Sequence, residues 1–124
     1  MNALLWTLQA VLAIAFAGAG AFKLLRPRAE LIEKLGGWVE EFPTPLIKPL
    51  GLIEVLAAVG LILPPLLHLW VVLTPTAAAG LVLIMLGAIA THARRAEWAN
   101  VAVNVVLAAM AVVVAWGRFG PHSF

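Results

Sequence analysis

Few side chains in this chain could do chemistry: Lys23, Glu54, His92, Asn100 and Asn104. An ammonium and a carboxylate can pair or exchange a proton, an imidazole can titrate near neutrality, and a carboxamide offers both a donor and an acceptor. What makes the set unusual is its surroundings. Glu54 stands inside the run from Gly51 to Pro64, which is otherwise apolar. A charged group near mid-helix in lipid costs about 2.5–3.5 kcal/mol on insertion scales, so it must face protein, pair, or take up a proton. Asn100 and Asn104 are four residues apart and share one helical face. His92 stands beside Arg94 and Arg95, where an imidazole also fits a plain interfacial role. No second histidine or carboxylate has ligand spacing to it, so no metal site is expected.

The elements that must position these groups follow from composition. Apolar residues make up 64% of the 124 residues and charged residues 11%, against about 45–50% and about 25% in soluble domains. A chain this short cannot hide that excess in its own core, so lipid is the missing solvent. The net charge of +2 carries no basic stripe with interleaved aromatics, which sets nucleic acid aside. With no cysteine there is no disulfide framework and no dithiol redox chemistry.

Four apolar runs are long enough to act as membrane helices, at about residues 3–25, 49–63, 66–91 and 99–116 of a single transmembrane domain covering 1–124. The first could be taken for a signal peptide, but no Lys or Arg precedes it and it continues past Ala17-Gly18-Ala19, so it is read as a retained helix. Arg26-Pro27 ends it. Between the first two runs, residues 28–42 place Leu31, Ile32, Leu35, Trp38, Val39 and Phe42 on one stripe, opposite Arg28, Glu30, Glu33, Lys34, Glu40 and Glu41. That is an amphipathic segment of one or two short helices lying in the interface, or a polar loop with its apolar side on the bundle. Pro43, Pro45 and Pro49 are expected to hold the chain extended up to the second helix, which ends at Pro64-Pro65. Pro75 is expected to kink the third run from within, with Thr74 or a neighbour satisfying the freed carbonyl. The fold class is therefore all-α, a four-helix transmembrane bundle.

Lys23, Arg26, Arg28, Lys34 and Lys48 flank the first connection and Arg94 and Arg95 the third, against Arg118 alone on the other side. The distribution predicts cytoplasmic loops at 26–48 and 92–98 with both termini outside. Trp6, Trp70 and Trp116 then belong to the outer belt and Trp38 and Trp98 to the inner one. In that topology all four helices bring polar groups to the inner half of the bundle. Two readings of the cluster stand side by side. Lys23 and Glu54 form a structural ion pair with the asparagines as interhelical glue, or the set lines a small polar pocket with Glu54 as its proton-active group. Gln9 and Thr74 lie elsewhere. Small residues such as Ala13, Ala17, Ala21, Gly80 and Gly87 permit close helix contact, which a homo-oligomer or a membrane-protein partner could also use.

Phe16-Ala-Gly-Ala-Gly-Ala-Phe-Lys23-Leu, Gly51-Leu-Ile-Glu54 with Gly60-Leu-Ile-Leu-Pro64, Leu73-Thr-Pro75, Ala78-Ala-Gly-Leu81, His92 and Gly117-Arg118-Phe119 together resemble the DoxX-like family. The resemblance implies a four-helix protein of the bacterial inner membrane. The family takes its name from a subunit of a thiosulfate:quinone oxidoreductase, and distant relatives include a protein needed for methylamine dehydrogenase maturation. No catalytic set carries over residue by residue. The expected function is an accessory or structural subunit of a membrane redox or envelope assembly. The alternative is a membrane enzyme or binding protein for a quinone or other lipophilic molecule, held in an intramembrane pocket around Glu54. The sequence requires no cofactor, and a quinone is the class such a pocket would admit. Proton-coupled transport finds no inverted repeat to support it.

Overall fold

The computed structural model describes residues 2–42 and 44–124, with the side chains of residues 41 and 44 outside that description. Met1 thus lies outside the described residues, as do Pro43 and the Glu41 side chain, both used in the expectations above. The chain forms α1 (Asn2–Leu25), α2 (Arg28–Leu35), α3 (Trp38–Glu41), α4 (Thr44–Leu67), α5 (Leu73–Arg94) and α6 (Trp98–Phe119). Helices α1, α4, α5 and α6 are each long and apolar enough to cross a bilayer, and Ile14, Leu56, Leu83 and Val106 are exposed on their outer faces. Large apolar side chains exposed along all four helices are what lipid solvates and water does not. The protein is a multi-pass membrane bundle.

Helix α1 packs on α4 and α5 on α6, and contacts between α4 and α5 and between α1 and α6 close the ring. The shared core holds Leu12, Phe16, Leu61, Leu81, Met85, Ala111 and Val114. A second cluster lies beyond the ring at the end that carries α2 and α3. Leu31 and Val39 are buried there against Ile47 of α4, with Phe22 of α1 alongside. The amphipathic segment is therefore two short helices, and its apolar stripe is spent on the bundle. Gly36 makes the corner between them at a φ of 113°, a left-handed value that glycine reaches without a Cβ clash. Lys48 of α4 donates from its ammonium to the carbonyls of Lys23 and Arg26, a cation set on the last carbonyls of α1.

Several helix limits differ from the sequence reading, each for a proline-related reason. Helix α4 begins at Thr44, with Pro45 in its first turn, where the N–H groups have no intrahelical partner to lose, and Pro49, expected at its start, lies inside it. It also runs through Pro64-Pro65 to Leu67. The chain then turns through His68 and Trp70 at φ 54° and 49° before α5 starts at Leu73. Pro75 consequently sits in the first turn of α5, with no interior kink to impose.

Continuation past two adjacent prolines leaves two carbonyls, those of Gly60 and Leu61, without the N–H donors four residues on. Both are supplied from neighbouring helices. Thr74 Oγ1 donates to the Gly60 carbonyl at 2.8 Å, and Gln9 Nε2 donates to the Leu61 carbonyl at 2.7 Å. Thr74 thus repairs the break made by Pro64, where the expectation had it repairing one made by Pro75. Thr74→Val should lower thermal stability in detergent by about 1–3 kcal/mol, as for a buried acceptor left unpaired. In a Pro64→Ala background, where residue 64 regains its N–H, the same change should cost clearly less. Equal costs in the two backgrounds would detach Thr74 from the proline break.

Candidate functional site

The polar groups at the α2–α3 end depend on how closely α1 and α4 approach. A Cβ on Gly20 would come within 2.5 Å of the Gly51 carbonyl, and one on Gly51 within 2.8 Å of the Gly20 carbonyl. The two backbones touch there, so only glycine fits. Lys23 and Glu54 each follow one of these glycines by three residues, on the same helical flank. Lys23 Nζ lies 2.9 Å from Glu54 Oε1, and the two side chains are only 10% and 3% exposed. At that burial the pair is shielded from water and counter-ions and its geometry is fixed by packing.

A cavity of about 360 Å³ opens beside the pair, and Lys23, Glu54, His92 and Asn104 all contribute to its wall. Trp38 and Phe42 cover it from the α2–α3 end, while Phe16, Met85 and Leu107 line its apolar part. Asn104 Nδ2 is buried and finds no hydrogen-bond partner among the described residues. Asn100 stands apart: it is exposed and outside the wall. Its Nδ2 comes 3.5 Å from His92 Nδ1, but Glu97 Oε1 lies 2.8 Å from the same nitrogen. Nδ1 cannot donate to Glu97 and accept from Asn100 together, and the shorter contact decides that it donates. The Trp38 ring meets the His92 ring edge-on at 5.7 Å between centroids. Four of the five sequence candidates thus share one wall. Trp38 and Phe42 join it from the segment read as interfacial, and Glu97, from the loop, holds His92 from outside the wall.

Glu97 lies in the connection between α5 and α6. The hydrogen bond from His92 holds its carboxyl below the usual carboxylate range, and Arg95, whose Nε is 3.3 Å from Glu97 Oε1, acts in the same direction. A carboxylate with a depressed folded pKa contributes stability that is complete above its unfolded value, about 4.3, and is lost as pH falls through the folded value. Acid scans of thermal unfolding should therefore show a loss beginning below about pH 4 that Glu97→Gln removes. For the buried pair, Lys23→Met or Glu54→Gln alone should cost about 3–5 kcal/mol by stranding its partner. The double change should cost less than either single one in the same unfolding assay. An additive double change would mean that the two groups do not depend on each other.

At the opposite end lies a cluster that the sequence reading did not assemble. Arg118 was counted there as an outer-side cation, yet it is 3% exposed. Its Nε donates to Gln9 Oε1 at 2.8 Å, and one terminal nitrogen donates to Asn2 Oδ1 at 2.7 Å and to the His122 carbonyl at 2.9 Å. The guanidinium carbon sits 4.0 Å from the Phe124 ring centroid. The available signal was Pro64-Pro65, which obliges the bundle to bring a donor such as Gln9 to that depth.

The model of the DoxX-like family matches residues 7–114, a span that includes the Gln9 and Thr74 bridges, the Lys23–Glu54 pair and the cavity wall. No curated protein and no solved structure gives a significant match. With that match over most of its length, the four-helix chain belongs to the DoxX-like family.

Proposed function

We propose that this protein binds a lipophilic small molecule carrying a hydrogen-bond-accepting oxygen, of the quinone class, in the cavity beside Lys23 and Glu54. The observation that carries the reading is Asn104 Nδ2, a buried donor without a partner in the wall of that cavity. A buried amide left unpaired costs about 1–3 kcal/mol, and an incoming carbonyl or hydroxyl oxygen removes that cost. The surrounding chemistry agrees. The wall is mostly apolar with a few convergent polar groups, the usual make-up of a small-molecule site. His92 is held in one orientation by Glu97, and the Lys23–Glu54 pair offers a donor and an acceptor within one contact.

The proposed setting is the bacterial inner membrane, with the cavity in the cytoplasmic half. Lys23, Arg26, Arg28, Lys34, Lys48, Arg94 and Arg95 all lie at the α2–α3 end, and such a bias marks the cytoplasmic side.

The test is native mass spectrometry of the protein purified in a mild detergent. Wild type should retain a reproducible small apolar adduct. Asn104→Leu, which removes the donor at similar volume, should lose it, as should Glu54→Gln, with circular dichroism confirming the folded state of each. A wild-type chain carrying only bulk lipid, alone or as a homo-oligomer, would overturn the binding reading. It would return the protein to an accessory or structural role beside a membrane-protein partner.

A further inference from the structure

Resting on that binding reading, we infer that the ligand reaches the cavity sideways from the bilayer and leaves an apolar tail in the opening, between the polar end and the membrane midplane. Three sides of the cavity are closed. At the α2–α3 end Trp38 and Phe42 lie across it, and Trp38 is fixed there by its indole N–H, which donates to the Leu35 carbonyl at 3.1 Å. Toward the chain termini the core is packed solid, with Leu12, Leu61, Leu81 and Val114 at 0% exposure. On the α1–α4 side the Gly20–Gly51 crossing leaves no gap. Glu54 itself is 2% exposed, so water has no direct line to the polar wall.

An opening runs along α5. Leu83 borders the cavity and is nevertheless 71% exposed, so cavity and outer surface meet at this residue. Gly87, one turn nearer the polar end, also borders the cavity, and a Cβ placed on it would meet nothing within 4 Å. Leu83 is ten residues from Leu73 and eleven from Arg94, or about 15 Å from either end of the helix. That is mid-depth in a hydrocarbon core about 30 Å thick. The opening therefore faces acyl chains, and only a molecule already dissolved in the membrane can use it. The polar groups lie deeper along the cavity, toward the α2–α3 end. A head that accepts hydrogen bonds fits beside Asn104 and Lys23, and a chain longer than the head must pass Gly87 and Leu83 to the lipid. The class this selects is an amphiphile with an oxygen-bearing head and a long apolar tail.

The experiment compares decyl-ubiquinone with its tailless dimethoxy-methyl-benzoquinone head, by equilibrium binding to the full chain in lipid nanodiscs. Gly87→Phe places a ring in the opening, and Gly18→Phe is the control, since Gly18 is equally free of neighbours and lies outside the cavity wall. Gly87→Phe should weaken the decyl probe by about tenfold or more while leaving the tailless head unchanged, and Gly18→Phe should alter neither. A diazirine in the decyl chain should label α5 between Leu83 and Gly87. Equal binding of both probes, indifferent to Gly87→Phe and with no label on α5, would overturn lateral access and leave the cavity reading standing. Absence of binding by either probe would overturn both.

Discussion

A backbone carbonyl in hydrocarbon has no water to fall back on, and the Pro64-Pro65 step in α4 creates two such carbonyls at once. The bundle is arranged around their repair. Gln9 and Thr74 have to lie at one depth, on the two helices that flank α4, for the Leu61 and Gly60 carbonyls to be satisfied. That requirement fixes the register of α1 and α5 against α4. Gln9 then presents its remaining oxygen to Arg118, which ties α6 into the same layer. One local defect in one helix thereby sets the vertical alignment of all four.

The two ends of the bundle use polar groups in opposite ways. At the termini, Arg118 is held by two side-chain oxygens, a carbonyl and an aromatic face, which together disperse a buried charge without a carboxylate. This is the pattern of a structural network, with three hydrogen bonds from one guanidinium to three different residues. At the α2–α3 end, an ion pair, an imidazole and an unpartnered carboxamide surround open space. Each end keeps a buried nitrogen without a hydrogen-bond partner among the described residues, Nη2 of Arg118 and Nδ2 of Asn104, but only Asn104 stands in the wall of the cavity, where a ligand has room to meet it.

Much of the fold was legible because lipid imposes simple rules. Helix number and the amphipathic stripe around Leu31 and Val39 follow from hydropathy and periodicity alone. The closest crossing, by contrast, falls on Gly20 and Gly51 and leaves Gly80 and Gly87, read as contact residues, with nothing within 4 Å of an added Cβ. The limits of α4 and α5 were not legible, because proline reads as a breaker unless its lost bond is replaced from another helix, and the replacement partners Gln9 and Thr74 are remote in sequence. At the site, Glu54 and Lys23 announced themselves by their cost in lipid. The gathering of His92 and Asn104 with them depended on helix rotation, which an apolar sequence specifies weakly. Trp38 looked like a membrane-belt residue because the sequence cannot show that α3 folds back over the bundle end and brings its ring to His92.

The bridges across α4 also impose a timetable on biosynthesis. Gln9 lies 52 residues ahead of the carbonyl it satisfies, so α1 is already in place when that carbonyl emerges. Thr74 follows Gly60 by only 14 residues, so the second exposed oxygen waits for little more than a turn and the start of the next helix. Arg118 comes 109 residues after Gln9, and its arrival joins the last helix to the first. The donors appear in the order that keeps each bare carbonyl short-lived, and Arg118 is drawn inward late, onto Gln9 and Asn2 already made, with the His122 carbonyl and the Phe124 ring following it.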